Sequence, residues 1–160
     1  MAPLPGLRVV LSGIHGYGVV ALRRFRAGER ITFGDGVVFT EDDDFDDEYA
    51  LILNNPAGED LPAVYYDLID QTRWINHSCD PNSSVDSSWD PVAGMFTTWW
   101  QAVRDIAPGE EITYDYAFAG HLAVPCNCGT DRCRGLIVDP DEIDEIPPEM
   151  LPYLRRDRAA

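Results

Sequence analysis

The chain has 160 residues, enough to bury one core and short for two domains. Its hydrophobic content of 45% excludes a disordered chain, and its formal charge of −16 excludes binding to nucleic-acid phosphates through a basic face. Such a field attracts cationic protein segments or simply keeps the chain soluble, and charge alone does not choose between them.

The first residues, Met1 to Gly6, have neither the positive start nor the apolar stretch of a secretory signal, and no apolar run approaches a membrane span. A reducing, intracellular and cytoplasmic setting is expected. Residues 7–11 and 30–40 read as β-strands rich in Val, Ile and Phe, with Gly34 and Gly36 as punctuation. Between them, Gly16-Tyr17-Gly18 is a glycine-flanked aromatic that leads into the apolar run Val19-Val20-Ala21. It is not a dinucleotide fingerprint, because the third glycine and its helix are missing. Ala27-Gly28 marks a turn.

Residues 41–48 hold seven acids broken only by Phe45, either a solvated loop or a docking surface for a basic peptide. Residues 54–62 are turn-rich. Residues 95–106 read as a strand whose Phe96, Trp99 and Trp100 serve core packing. Ala107-Pro108-Gly109 turns the chain into Glu111-Ile112-Thr113-Tyr114-Asp115-Tyr116. From Asp139 the chain is acidic and proline-bearing, with a short helix expected over 149–156. There is no internal repeat and no linker to a second domain.

The four cysteines are Cys79, Cys126, Cys128 and Cys133, three of them in a C-x-C-x4-C cluster. In a reducing compartment they read as metal ligands rather than disulfides. Four thiolates, each about 2.3 Å from the metal, complete the tetrahedral shell of one structural zinc ion and leave no open position for a catalytic water. Arg132 and Arg134 flank Cys133 and are placed to ease its ionisation. All twelve basic residues are Arg. Composition bias explains this; a lysine-modifying enzyme would also gain by carrying no lysine of its own.

Three strings decide the reading: Arg73 to Asn82 is R-W-I-N-H-S-C-D-P-N, Gly109 to Tyr116 is G-E-E-I-T-Y-D-Y, and Pro125 to Gly135 is P-C-N-C-G-T-D-R-C-R-G. With Gly16-Tyr17-Gly18 ahead of them, they resemble in order the SET-domain protein-lysine methyltransferases that carry a cysteine-rich post-SET segment. The resemblance spans roughly residues 7–137. It implies a mostly β (α+β) fold of several small sheets with a knot-like core, closed by a C-terminal zinc-binding segment. The implied division is a SET domain over 1–120 with a short insert at about 41–72, a post-SET zinc segment over 121–138, and an acidic tail over 139–160.

The resemblance also implies roles. Tyr116 is the catalytic tyrosine, and Tyr114 is the position that tunes how many methyl groups fit, its hydroxyl favouring monomethylation. Gly16, Tyr17, Gly18, Asn76 and His77 bind the donor, S-adenosylmethionine, with Tyr116 beside it. Arg73 is placed on the donor side, and with Asp115 holds the crossing segments together. Leu136 occupies the lid position, where relatives often carry an aromatic. His15 and His121 have no assigned role. The insert available for substrate recognition, residues 34–75, is short for the family.

The chain therefore reads as a zinc-stabilised protein-lysine N-methyltransferase acting on a basic, lysine-bearing segment, histone-tail-like or otherwise. It would be nuclear or nucleoid-associated if that substrate is chromatin. No nucleic-acid or membrane partner is expected, and a monomer is the default. The rival reading is a non-catalytic SET-like acidic module that binds basic proteins; zinc-ribbon binding of nucleic acid is disfavoured by charge.

Overall fold

The structure is a computed structural model, and it describes residues 4–45, 49–155 and 157. Asp46 to Glu48 of the acidic run and Arg156 of the expected tail helix lie outside the described residues. Among the described residues, twelve short strands form five small sheets, and the helical segments are all 3₁₀ turns.

β1 (Leu7–Leu11) and β2 (Tyr17–Ala21) form an antiparallel hairpin with Leu7 opposite Ala21. Its tip is closed by the Ser12 N–H donating to the Gly16 carbonyl at 2.9 Å. The sequence suggests one strand over 30–40; the structure divides it at Asp35. The first half is β3 (Arg30–Gly34) and the second is β4 (Gly36–Phe39), and they join different sheets. β5 (Ala50–Leu53) and β6 (Val64–Leu68) complete the second sheet in the order β4-β6-β5, so the insert is built from strands. In β6, Val64, Tyr66 and Leu68 face inward, the alternation that a half-buried strand requires.

A 3₁₀ turn over Gln71–Trp74, capped by the Asp70 side chain on the Thr72 N–H, leads into β7 (Asn76–His77). β8 (Ser83–Asp90) and β9 (Met95–Ala102) pair over eight positions and with β3 form the third sheet, ordered β3-β9-β8. β9 buries Phe96, Thr98, Trp100 and Ala102 and turns the intervening residues outward. The fully buried Trp100, Phe25 and Ile106 anchor the main core. β10 (Thr113–Tyr114) then lies parallel to β7, with Thr113 opposite Asn76 and Tyr114 opposite His77. Parallel neighbours so far apart in sequence bring the two strings Arg73–Asn82 and Gly109–Tyr116 side by side, as the resemblance implies.

β11 (Val124–Pro125) and β12 (Leu136–Ile137) clasp the cysteine segment. A second, smaller core gathers Ala123, Leu136, Val138 and Ile146, with Ile143, Met150 and Leu154 packed against it. The tail forms two 3₁₀ turns, Pro140–Glu145 and Leu151–Tyr153, in place of one helix over 149–156. Pro152 lies inside that stretch and has no N–H to donate, which works against one continuous helix.

Candidate active site and metal centre

A cavity of about 540 Å³ opens between the β1–β2 hairpin, the β7–β10 pair and the cysteine segment. Its walls are aromatic: Tyr17 packs on Trp74 with ring centroids 5.3 Å apart, and Tyr49 meets Trp74 edge-on at 5.2 Å. The Arg73 guanidinium lies 4.2 Å above the Tyr49 ring, and its buried Nε has no hydrogen-bond partner. A cavity of this size, with apolar walls and few polar groups, suits a ligand combining a flat ring system with charged ends.

Tyr116 lines this cavity, and its hydroxyl donates to the Ile75 carbonyl at 3.0 Å. Tyr114 lies behind it, its ring 4.8 Å from Tyr116 and 5.9 Å from Trp100. Burial pushes both phenols above their ordinary value, so both stay protonated hydroxyls at neutral pH. Among the described residues, no Asp or Glu lines the cavity. The site is therefore equipped to orient a reacting group rather than to take a proton from it.

Asn76 is 6% exposed, and its amide nitrogen faces three acceptors. These are the carbonyls of Tyr17 at 2.8 Å and His15 at 3.2 Å, and Glu111 Oε1 at 2.9 Å. Ser12 Oγ donates to both oxygens of the same Glu111 carboxylate, at 2.9 and 3.0 Å. Asn76 and Glu111 thus tie the glycine loop to the crossing segments. Gly18 is required by this packing, because a Cβ there would run into Glu111 Oε1. That close approach is to Glu111, not to the cavity, which Gly18 does not line.

His77 is 3% exposed and uses both ring nitrogens. The Tyr116 N–H donates to Nδ1 at 3.1 Å, so Nδ1 is an acceptor and the ring proton sits on Nε2. Nε2 in turn is 3.3 Å from Cys79 Sγ, its acceptor. Asp115 Oδ1 lies 3.4 Å from Nδ1. With Nδ1 already accepting from Tyr116, that contact is two acceptors facing each other rather than an ion pair.

The Sγ atoms of Cys79, Cys126, Cys128 and Cys133 lie within 4.8 Å of one another, and none is in a disulfide. The Cys79–Cys126 separation of 3.7 Å is far beyond a disulfide bond. It matches the edge of about 3.8 Å in a tetrahedron with metal–sulfur distances of about 2.3 Å. The donor set thus fits a thiolate-bound metal. Cys79 is held down at about 3, chiefly by its hydrogen bond with Cys126 and, against burial, by His77; the same bond pushes Cys126 up. Without a cation the pair shares one charge, and four thiolates need a metal to coexist. Arg132 is exposed and 3.7 Å from Asp80, Arg134 pairs with Asp115, and burial pushes the Cys133 thiol up.

Comparison with known proteins decides what this arrangement is. The family model for the SET domain matches residues 16–117. The chain belongs to the SET-domain family. Among curated relatives, it is 38% identical over 143 residues to "Histone-lysine N-methyltransferase, H3 lysine-4 specific" of Cryptococcus neoformans, covering 81% of this chain and 9% of that protein. It is 35% identical to ATX2, a histone-lysine N-methyltransferase of Arabidopsis thaliana, over 80% of this chain and 12% of that one. For the H3 lysine-36 specific enzyme of Eremothecium gossypii the identity is 38%, over 76% and 19%. The chain therefore spans under a fifth of the length of these relatives. Among solved structures, KRYPTONITE in complex with mCHH DNA, an H3(1-15) peptide and SAH superposes with a TM-score of 0.66 at 27% identity, over 82% of this chain and 29% of that one.

Within this SET domain, Gly16, Tyr17, Arg73, Asn76, His77 and Tyr116 line one cavity. Leu136, expected at the lid, does not: it is fully buried in the second core, and its neighbour Ile137 faces the cavity instead. Tyr114 reaches the site only from behind Tyr116. His15, left without a role, lines the cavity beside Gly16. Sequence reasoning also missed Tyr49, Trp74, Phe118 and Glu111. Trp74 and Glu111 sit inside the motif strings and were within reach; Tyr49 and Phe118 carry no local signal.

Proposed function

We propose that this SET domain is a protein-lysine N-methyltransferase that uses S-adenosylmethionine. The observation that carries this is Tyr116: a half-buried, protonated phenol fixed by the Ile75 carbonyl and by His77, at the wall of an aromatic cavity whose described lining residues include no carboxylate. The residues present fit the donor. Asn127, His15 and the Asn76 oxygen offer polar contacts, Tyr17 and Trp74 offer ring faces, and the Arg73 guanidinium offers a cation for a carboxylate. The donor supplies a sulfonium methyl group.

What the chain's own residues do is align. Displacement at a methyl carbon needs the amine nitrogen, carbon and leaving sulfur in line, which is chiefly a positioning demand. The Tyr116 hydroxyl, committed as donor to Ile75, turns its lone pairs to what enters the cavity. An aromatic, desolvating wall disfavours the ammonium form of an entering lysine, so the neutral amine is the nucleophile and its proton leaves to solvent. Tyr114, whose ring packs 4.8 Å from that of Tyr116, is the residue that limits transfer to one methyl group in this reading.

The zinc assignment belongs to the same reading: Cys79, Cys126, Cys128 and Cys133 hold one structural zinc that seats the cysteine segment as a wall of the cavity. The substrate is a basic, lysine-bearing segment, supported by the charge of −16 and by relatives named as histone-lysine methyltransferases. A chromatin setting follows if that segment is a histone tail. The deciding experiment is labelled methyl transfer to a panel of basic proteins, with Tyr116→Phe as control. Label in the wild type and none in the variant is expected; equal labelling in both would displace Tyr116. Calorimetry with the donor separates the rival, since a pure binding module takes up none.

A further inference from the structure

Arg134 follows the last cysteine directly, yet its side chain serves the other end of the site. Nη1 donates to Asp115 Oδ2 at 2.7 Å and Nη2 to Asp115 Oδ1 at 2.8 Å, a two-bond fork. Arg134 is 5% exposed. A guanidinium so buried is held only because a carboxylate meets it.

Asp115 immediately precedes Tyr116, and its Oδ1 also accepts the N–H of Ala117 at 3.1 Å. Ala117 has φ 45°, the left-handed region that alanine rarely enters. The backbone around Tyr116 is therefore fastened twice. His77 holds the Tyr116 N–H, and the Arg134–Asp115 pair holds the strained residue after it.

We propose that Arg134 is a positioning residue for Tyr116, acting through Asp115, and that this pair carries the seating of the cysteine segment to the reacting end of the site. Only the kinetic arm of its test rests on the methyl-transfer reading; the exchange arm does not.

The test uses the full chain as Arg134→Met, Arg134→Lys, Asp115→Asn and the Arg134→Met/Asp115→Asn double variant. Three quantities are measured: zinc per chain, residue-resolved amide exchange at Tyr116 and Ala117, and kcat and KM for a basic acceptor. Arg134→Met is expected to keep one zinc per chain, to speed both exchanges about tenfold, and to lower kcat about tenfold with little change in acceptor KM. Arg134→Lys, which keeps the charge without the fork, falls between. In the Asp115→Asn background the Arg134→Met change adds little, because its target is already gone. Unchanged amide exchange, loss of zinc in Arg134→Met, or fully additive effects would each overturn the proposal. If the wild type transfers no methyl group, the activity reading fails while the exchange arm still decides this one.

Discussion

The backbone N–H of Tyr116 donates to His77 Nδ1 at 3.1 Å, so the last residue of one crossing segment is fixed by a side chain of the other. The opposite ring nitrogen reaches Cys79 Sγ at 3.3 Å, which makes His77 a bridge from the cysteine cluster to Tyr116. His77→Leu leaves a buried N–H without an acceptor and is expected to cost about 1–3 kcal/mol in denaturant unfolding. His77→Asn, whose side-chain oxygen can approach the Nδ1 position, should recover part of that. Equal losses in the two variants would show that the Tyr116 bond is not what His77 contributes.

The two tyrosines are expected to part in their effects. Tyr116→Phe removes the hydroxyl that faces the cavity and should abolish most transfer while costing only about 1 kcal/mol of stability, the worth of its bond to Ile75. Tyr114→Phe should leave transfer intact and raise the share of di- and trimethylated product, read by mass spectrometry of a lysine peptide. An unchanged product distribution would remove Tyr114 from control of methylation state.

Much of this site could be read in the chain, and what could not has a physical reason. The motif strings placed Asn76, His77, Tyr116 and the four cysteines because each is a local run of specific chemistry. β9 was legible from its aromatics, although it ends at Ala102 and turns Trp99 away from the core, whereas its partner β8 is Ser- and Asp-rich and is a strand only because eight positions pair with β9. Leu136 shows the limit of reading a single position. In a strand, neighbours face opposite sides, so the inward turn of Leu136 hands the cavity wall to Ile137. The Arg134–Asp115 fork joins residues whose meeting depends on the fold, and no spacing announces it.

Metal removal should act on the cavity wall before it acts on the core. The main core around Trp100 shares no buried residue with the smaller one around Leu136, and the cysteines lie beside the latter. A strong chelator is expected to speed proteolysis within residues 121–138 and to abolish donor binding, with the tryptophan fluorescence of the main core largely kept. Full donor binding by metal-free protein would show that the cluster does not shape the cavity.

Alkaline pH offers a separate check on burial. Tyr66, Tyr114 and Tyr116 are each pushed above the ordinary phenol value, first by burial. Because the folded values lie above the unfolded value of about 10, the stability they contribute is complete below that pH and is lost as pH rises beyond it. Phenolate absorbance from these three should therefore appear late, together with unfolding. A single transition near the ordinary value with the fold intact would contradict the burial of Tyr116.

The tail contributes through one close contact that a point change can isolate. Gly135 has φ +82°, and a Cβ placed on it would collide with the Tyr153 carbonyl oxygen. The Arg155 N–H also donates to the Arg134 carbonyl at 2.8 Å, so the 151–155 segment lies directly on the residue that holds Asp115. Gly135→Ala has two costs, about 1–2 kcal/mol for the left-handed backbone and a further loss from displacing the tail. In a chain ended after Met150 the second cost vanishes, so the same substitution should destabilise it less. Thermal unfolding of the four proteins measures the difference. Equal effects of Gly135→Ala in both lengths would mean that the tail does not brace the cysteine segment.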